Sequence, residues 1–238
     1  MKRFAQNVFK GLLVAVVLFV TVALARAVVG VGSGSGVAQS ALPSLLGLLG
    51  VIGVFCLGFR SRRLYIFGHE LTHWLAAKAF RRQTSSIRVG LQGGSVSVER
   101  PNLFIVLCPY FVPFYSLVWI GLYGAYLALV AGPPRGASFA FQVGLGASYG
   151  FHVAFTAWAL RSGQKDLLIF GTWFSLSVIL FGNTLLLFLA TLVATREWGV
   201  GMELFGGHLR SQWALLARGV AGSWSLGVAL YRRLRGAG

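Results

Sequence analysis

Four stretches of this chain, 27–59, 101–134, 136–160 and 167–195, contain no Lys, Arg, Asp or Glu. A helix needs about 20 apolar residues to cross a bilayer, so each stretch is long enough to supply a span. Of the 238 residues, 56% are hydrophobic and only 11% are charged, with a mean hydropathy of +0.75. A water-soluble domain carries about a quarter of its residues as charges. This chain lacks the polar side chains to cover a soluble surface. The class it implies is a multi-pass membrane protein.

The charged residues fit that class. The net charge is +16, from 21 basic and 5 acidic residues. Lys and Arg gather at the ends of the apolar runs, where they face anionic lipids and set orientation. No basic patch interleaved with aromatics marks a nucleic-acid surface, so an anionic bilayer is the expected partner and nucleic acid is not. Cys56 and Cys108 lie in apolar runs without metal-ligand spacing and read as buried thiols. Lys2, Arg3 and Lys10 precede the apolar run 11–25, and Ala25-Arg26-Ala27 resembles a cleavage site. A signal peptide and an uncleaved first span both read this way; a polytopic chain favours the span.

The order of segments follows from composition. Spans are expected at about 9–28, 41–59, 103–130, 137–160 and 167–194, with a flexible Gly/Ser loop from Val29 to Ser40. An apolar helix at about 64–80 follows the cluster Arg60, Arg62 and Arg63. After it the period changes: Ile87, Val89 and Leu91 alternate with polar residues, as do Val96 and Val98 beyond Gly93-Gly94. Period-2 patterning around Gly-Gly predicts a β-hairpin. Residues 212–231 read as a sixth span or an amphipathic surface helix. The fold expected is an all-α polytopic membrane protein of five or six transmembrane helices, with a short β-hairpin after the 64–80 helix. It forms a single membrane domain over 1–238, with a core at 64–183 and a C-terminal segment at 212–238. If residues 60–100 stay on the cytoplasmic side, 16 basic residues lie inside and four outside. The alternative, in which the 64–80 helix crosses, is less biased. The first arrangement implies a cytoplasmic N-terminus and a helix that dips in and returns. The location expected is the plasma membrane of a prokaryote.

Within that helix stands His69-Glu70-Leu71-Thr72-His73. Four residues apart on a helix, His69 and His73 share one face and can bind one metal ion. Glu70 is placed to take a proton from zinc-bound water and pass it to a leaving amine. Buried histidines hydrogen-bonded to neighbouring helices would also account for the pair. However, His and Glu are rare at membrane depth unless they bind something. The longer HExxHxxGxxH pattern is absent, because Ala76 stands where its glycine would be.

A catalytic zinc needs a third protein ligand and an open position. The candidates are Asp166, the only aspartate, and His152, the only other histidine within a span. At about 1.5 Å per residue, His152 lies roughly 12 Å from the cytoplasmic face, between His69 and His73 at roughly 9 and 15 Å. Depth therefore favours His152. Asp166 stands where a helix N-cap is common. His208 falls in an expected outer loop as a solvated residue, and Asn183 reads as a helix-joining hydrogen bond or a contact to substrate backbone.

His69-Glu70-Leu71-Thr72-His73 on a membrane helix, followed by the Ile87 to Val98 hairpin and further spans, resembles the site-2 protease family of intramembrane zinc metalloproteases, over about 64–183. The resemblance implies an aspartate as third ligand, from a Leu-Asp-Gly motif. This chain has Gln164-Lys165-Asp166-Leu167, with Gly171 further on. Both His152 and Asp166 stay open as ligands. The resemblance also implies a strand edge that holds an unwound membrane-protein substrate; Pro109 and Pro113 predict a kink in the 103–130 span, which either opens a lateral gate or serves helix packing. The function expected is a Zn2+-dependent intramembrane endopeptidase with Glu70 as general base. The alternative is an inactive, metal-binding membrane protein that serves as a structural or interaction partner. A closed four-ligand site that includes both His152 and Asp166 would favour the alternative. A transporter is disfavoured, since no inverted repeat is present.

Overall fold

The computed structural model describes residues 2–34, 41–90, 93–134 and 136–236. Helix α1 (Lys2–Gly34) takes in the start of the expected Gly/Ser loop, whose residues 35–40 lie outside the described part. Helix α2 (Leu42–Cys56) is apolar but only 15 residues long. Helix α3 (Arg62–Ala79) carries the His69–His73 pair. Arg60 sits over the Phe55 ring at 4.7 Å, and Arg62 over Trp158 at 5.4 Å. These cation–π contacts tie the start of α3 to its neighbours.

Strands β1 (Arg88–Val89) and β2 (Gly94–Ser95) pair antiparallel, Arg88 opposite Ser95 and Val89 opposite Gly94, and Thr84 bridges Val98 beyond them. Gly94 pairs with Val89, so it belongs to a strand rather than to the turn expected at Gly93-Gly94. Leu91 lies outside the described residues.

The segment expected as one span at 103–130 is broken. Helix α4 (Leu103–Leu107), a 3-10 turn (Cys108–Tyr110) and α5 (Phe114–Leu129) bend by 76°. Pro109 and Pro113 account for the break, because each removes a backbone donor and clashes with the preceding turn. Asn102 caps α4 by accepting from the Ile105 amide at 2.8 Å. Helix α6 (Gly136–Arg161) follows. The expected fifth span is also interrupted: α7 (Asp166–Phe170) and α8 (Thr172–Thr195) are separated by Gly171, whose φ of 97° is left-handed. Asp166 is the first residue of α7, and Lys165 occupies the cap position. Helix α9 (Trp198–Gly236) is continuous for 39 residues. It therefore absorbs the expected outer loop and places His208, half-buried, on a helix.

Two helices among the described residues are long and apolar enough to cross a membrane, within α1 and at α8, or three if the bent α4–α5 pair counts as one. Many large apolar side chains stay exposed, Leu117, Val118, Trp119, Ile120 and Leu122 in one stretch of α5. Such a surface suits lipid, not water. The chain is an all-α membrane protein.

Two packing systems position the site. Helix α2 lies along α6 with Ser44 against Gly146, Leu48 against Gly150 and Phe55 against Phe155, so the two run parallel. Helix α1 lies against α8 around Leu24, Ala27, Phe188 and Leu192, and α9 returns beside α1. The buried core lies between these systems. It gathers Ala76 and Ala77 of α3, Ile105 to Cys108, Tyr110, Leu167 of α7 and Ile179 of α8 directly beneath the histidines.

Candidate metal centre

Helix α3 runs antiparallel to the segment 105–110, with His73 opposite Ile105 and His69 opposite Tyr110. Helix α7 closes the third side. The result is a cluster of His69, His73 and Asp166 whose ligand atoms lie within 4.8 Å of one another and could hold a metal ion. The two Nε2 atoms are 3.2 Å apart, and each is 3.6 Å from Asp166 Oδ2. An ion bound tetrahedrally at about 2.0–2.1 Å from each ligand separates its ligands by about 3.3–3.4 Å. The three atoms fit that triangle with shifts of a few tenths of an ångström.

Hydrogen bonding prepares the donors. His73 Nδ1 donates to the Ile105 carbonyl at 2.7 Å. A carbonyl can only accept, so His73 carries its proton on Nδ1 and turns the Nε2 lone pair to the centre. His69 Nδ1 has a longer contact, 3.3 Å, to the Tyr65 hydroxyl. Tyr110 donates its hydroxyl proton to Asp166 Oδ2 at 2.8 Å. Burial alone would raise the Asp166 carboxyl, but its contacts with His69, His73 and Tyr110 outweigh burial and hold it well below the usual carboxylate range. Asp166 is thus anionic at neutral pH, as a metal ligand must be.

Glu70 lies one residue from the first histidine, 9% exposed, with the Val96 backbone beside its carboxylate. The ribbon passes close over it: a Cβ added to Gly94 would lie 2.7 Å from Glu70 Cγ. Both histidines, Glu70 and Asp166 line one cleft of about 580 Å³, with Gly93 to Val96 along one wall and Ile105, Trp158 and Ile169 on others.

His152 is not in the cluster. Buried on α6, it borders a separate small cavity on the other side of His69. The depth estimate matched His152 to the histidines along one axis only, whereas ligation requires all three coordinates. Asn183 joins helices, donating to the Tyr110 carbonyl at 3.0 Å and to Ile179 at 2.9 Å. The sequence reading missed Tyr110, which supports Asp166 by its hydroxyl and receives Asn183 at its carbonyl. Its only signal was its place between Pro109 and Pro113, where a broken helix presents side chains and carbonyls sideways.

Comparison with known proteins returned no matching family model, no matching curated protein and no matching solved structure.

Proposed function

We propose that this chain is a zinc-dependent endopeptidase of the membrane, hydrolysing a peptide bond of a membrane-protein substrate. One observation carries the reading: three ligand atoms converge at metal spacing with Glu70 beside them, in a cleft large enough for an extended peptide. Three protein ligands leave a position open, as catalytic zinc sites do, whereas structural sites are closed by four. A catalytic centre is therefore better supported than the structural alternative, because His152 does not complete a fourth corner.

His69, His73 and Asp166 would hold the zinc, which when bound supplies Lewis acidity and brings the pKa of water toward about 7. Glu70 would take the proton and return it to the departing amine. Gly93 to Val96 and Val98 border the cleft, so an unwound substrate segment could add to this edge as a strand. In this reading α2, α6 and α9 join the apolar helices already described to give five or six crossings in a prokaryotic plasma membrane. The N-terminus is cytoplasmic and the basic residues meet anionic lipid.

The test uses purified full-length protein and a panel of transmembrane reporter peptides. Cleavage should require stoichiometric zinc and stop with a chelator. Glu70→Gln should keep its zinc and lose about 10²- to 10⁴-fold in rate, the usual contribution of a positioned acid–base group. Protein that retains no zinc, or Glu70→Gln that cleaves at the wild-type rate, would refute the proposal.

A further inference from the structure

Three buried side-chain polar atoms among the described residues have no hydrogen-bond partner: Thr84 Oγ1, His152 Nε2 and Thr156 Oγ1. The last two stand one turn apart on α6. Buried polar atoms are nearly always paired, with protein or with ordered water, so each calls for an explanation. For His152 the surroundings supply one. The Tyr110 backbone and the Asn183 side chain stand beside its ring. A proton on Nδ1 directed at the Tyr110 carbonyl, which can only accept, would leave Nε2 as an acceptor.

His152 also borders a cavity of about 20 Å³, shared with His69, Gly68, Thr72 and Tyr115. One water needs about 10–15 Å³ and two to four polar partners. The cavity therefore has room for one water and not two. Thr72 Oγ1, which donates to the Gly68 carbonyl at 2.6 Å, keeps lone pairs for a further bond.

The two metal-facing histidines are held unequally. His73 has a 2.7 Å bond from Nδ1 to a carbonyl, while His69 has only a 3.3 Å contact to a tyrosine hydroxyl. A ligating histidine ordinarily directs its second N–H at a good acceptor, which fixes its tautomer and ring orientation. Among the described residues His69 Nδ1 meets only the distant Tyr65 hydroxyl, and the cavity with the unpaired His152 Nε2 lies against it.

We propose that His152 is a positioning residue for the metal centre: one water in the cavity accepts from His69 Nδ1 and donates to His152 Nε2. The chain His69, water, His152, Asn183 then ties the metal-facing ring to α6 and α8. Asn183 shares the Tyr110 carbonyl with His152, while the Tyr110 hydroxyl holds Asp166. One buried polar network thus supports both a histidine and the carboxylate. This inference rests on the metal-centre reading and adds His152, a residue outside the ligand set, to what sustains it.

The experiment measures zinc affinity of the full-length protein in detergent by competition with a chromogenic chelator. His152→Leu should bind zinc about 10- to 100-fold more weakly, the usual effect of losing a ligand's supporting partner. His152→Gln, which keeps an acceptor, should recover most of the loss, and the unfolding temperature of the metal-free protein should be the same for all three. Wild-type affinity in His152→Leu, or no recovery in His152→Gln, overturns the inference while the metal centre stands. A wild-type protein that takes up no zinc instead refutes the centre itself. If His152→Leu does not fold, ¹⁵N spectra of histidine-labelled wild type decide: a protonated Nδ1 and bare Nε2 at His152 support the inference, and a protonated Nε2 overturns it.

Discussion

Tyr110 shows how much of the centre depends on a residue that cannot itself bind the metal. Its hydroxyl makes a 2.8 Å hydrogen bond to the same Asp166 oxygen that faces both histidines. That bond leaves the carboxylate one orientation, with Oδ2 turned toward the Nε2 pair. Tyr110→Phe keeps the ring, which lies edge-on to His69 with centroids 5.1 Å apart, and removes only the donor. Zinc affinity should fall about 10- to 100-fold, measured by the same chelator competition, while thermal stability changes little. An unchanged affinity would mean that α7 alone holds Asp166. At this scale the histidine pair was legible in the sequence, because four-residue spacing on a helix fixes two side chains on one face. The aspartate could be named only as a candidate. Its approach depends on the break at Gly171 and on how α7 tucks under α3, and neither is a local property of residues 164–167.

Elements in this protein approach one another through glycine. The stretch Gly146-Ala147-Ser148-Tyr149-Gly150 on α6 places two glycines four apart, and both face α2: a Cβ on Gly146 would collide with the Ser44 carbonyl, and one on Gly150 would lie 2.7 Å from that of Leu48. Small residues at this spacing let helix backbones touch, and close van der Waals packing is what joins helices in lipid. Gly146→Leu must push α2 away. The expected cost is about 1–3 kcal/mol or more, seen as a lower unfolding temperature in detergent, and His152, on the turn after Gly150, should shift with α6. Wild-type stability in Gly146→Leu would mean that α2 is free to move off α6. This spacing was visible in the sequence and was passed over for the apolar content around it. By contrast, the helix over 198–211 was hidden. Four glycines in that segment read as a loop, and helicity there depends on packing, with Gly201 set against Leu192 and Val31.

For the molecule as a whole, surface area and helix direction decide the setting. A soluble globule of 25.6 kDa exposes about 10,400 Å², and this chain exposes 15661 Å². Many large apolar side chains are among the exposed ones, which fits helices spread in a bilayer. Lys10 donates to the Phe170 carbonyl at 3.2 Å, near the start of α8, and Val31 lies by Leu192 and Gly201, near its end. Helices α1 and α8 therefore run parallel. Gly30 meets Leu204, and the Gln212 amide, oriented to donate, reaches the Phe19 carbonyl at 3.0 Å, so α9 runs back along α1. The N-terminal part of α1 and Asp166 consequently sit at one end of the bundle, and Arg196 and Glu197 at the other. Charge counting alone favoured the topology in which the α3 helix returns over the one in which it crosses. The parallel α1 and α8 require the N-terminus and the metal centre to share a side, whichever side that is. Cysteine substitutions at Ser86 and Glu197, in a Cys56→Ser background, should therefore label from opposite faces of intact vesicles with an impermeant maleimide. Ser86→Cys should react from the face on which an N-terminal tag is protease-sensitive. Labelling of both positions from one side would break the α1–α8 alignment, and with it the placement of the metal centre on the side of the N-terminus.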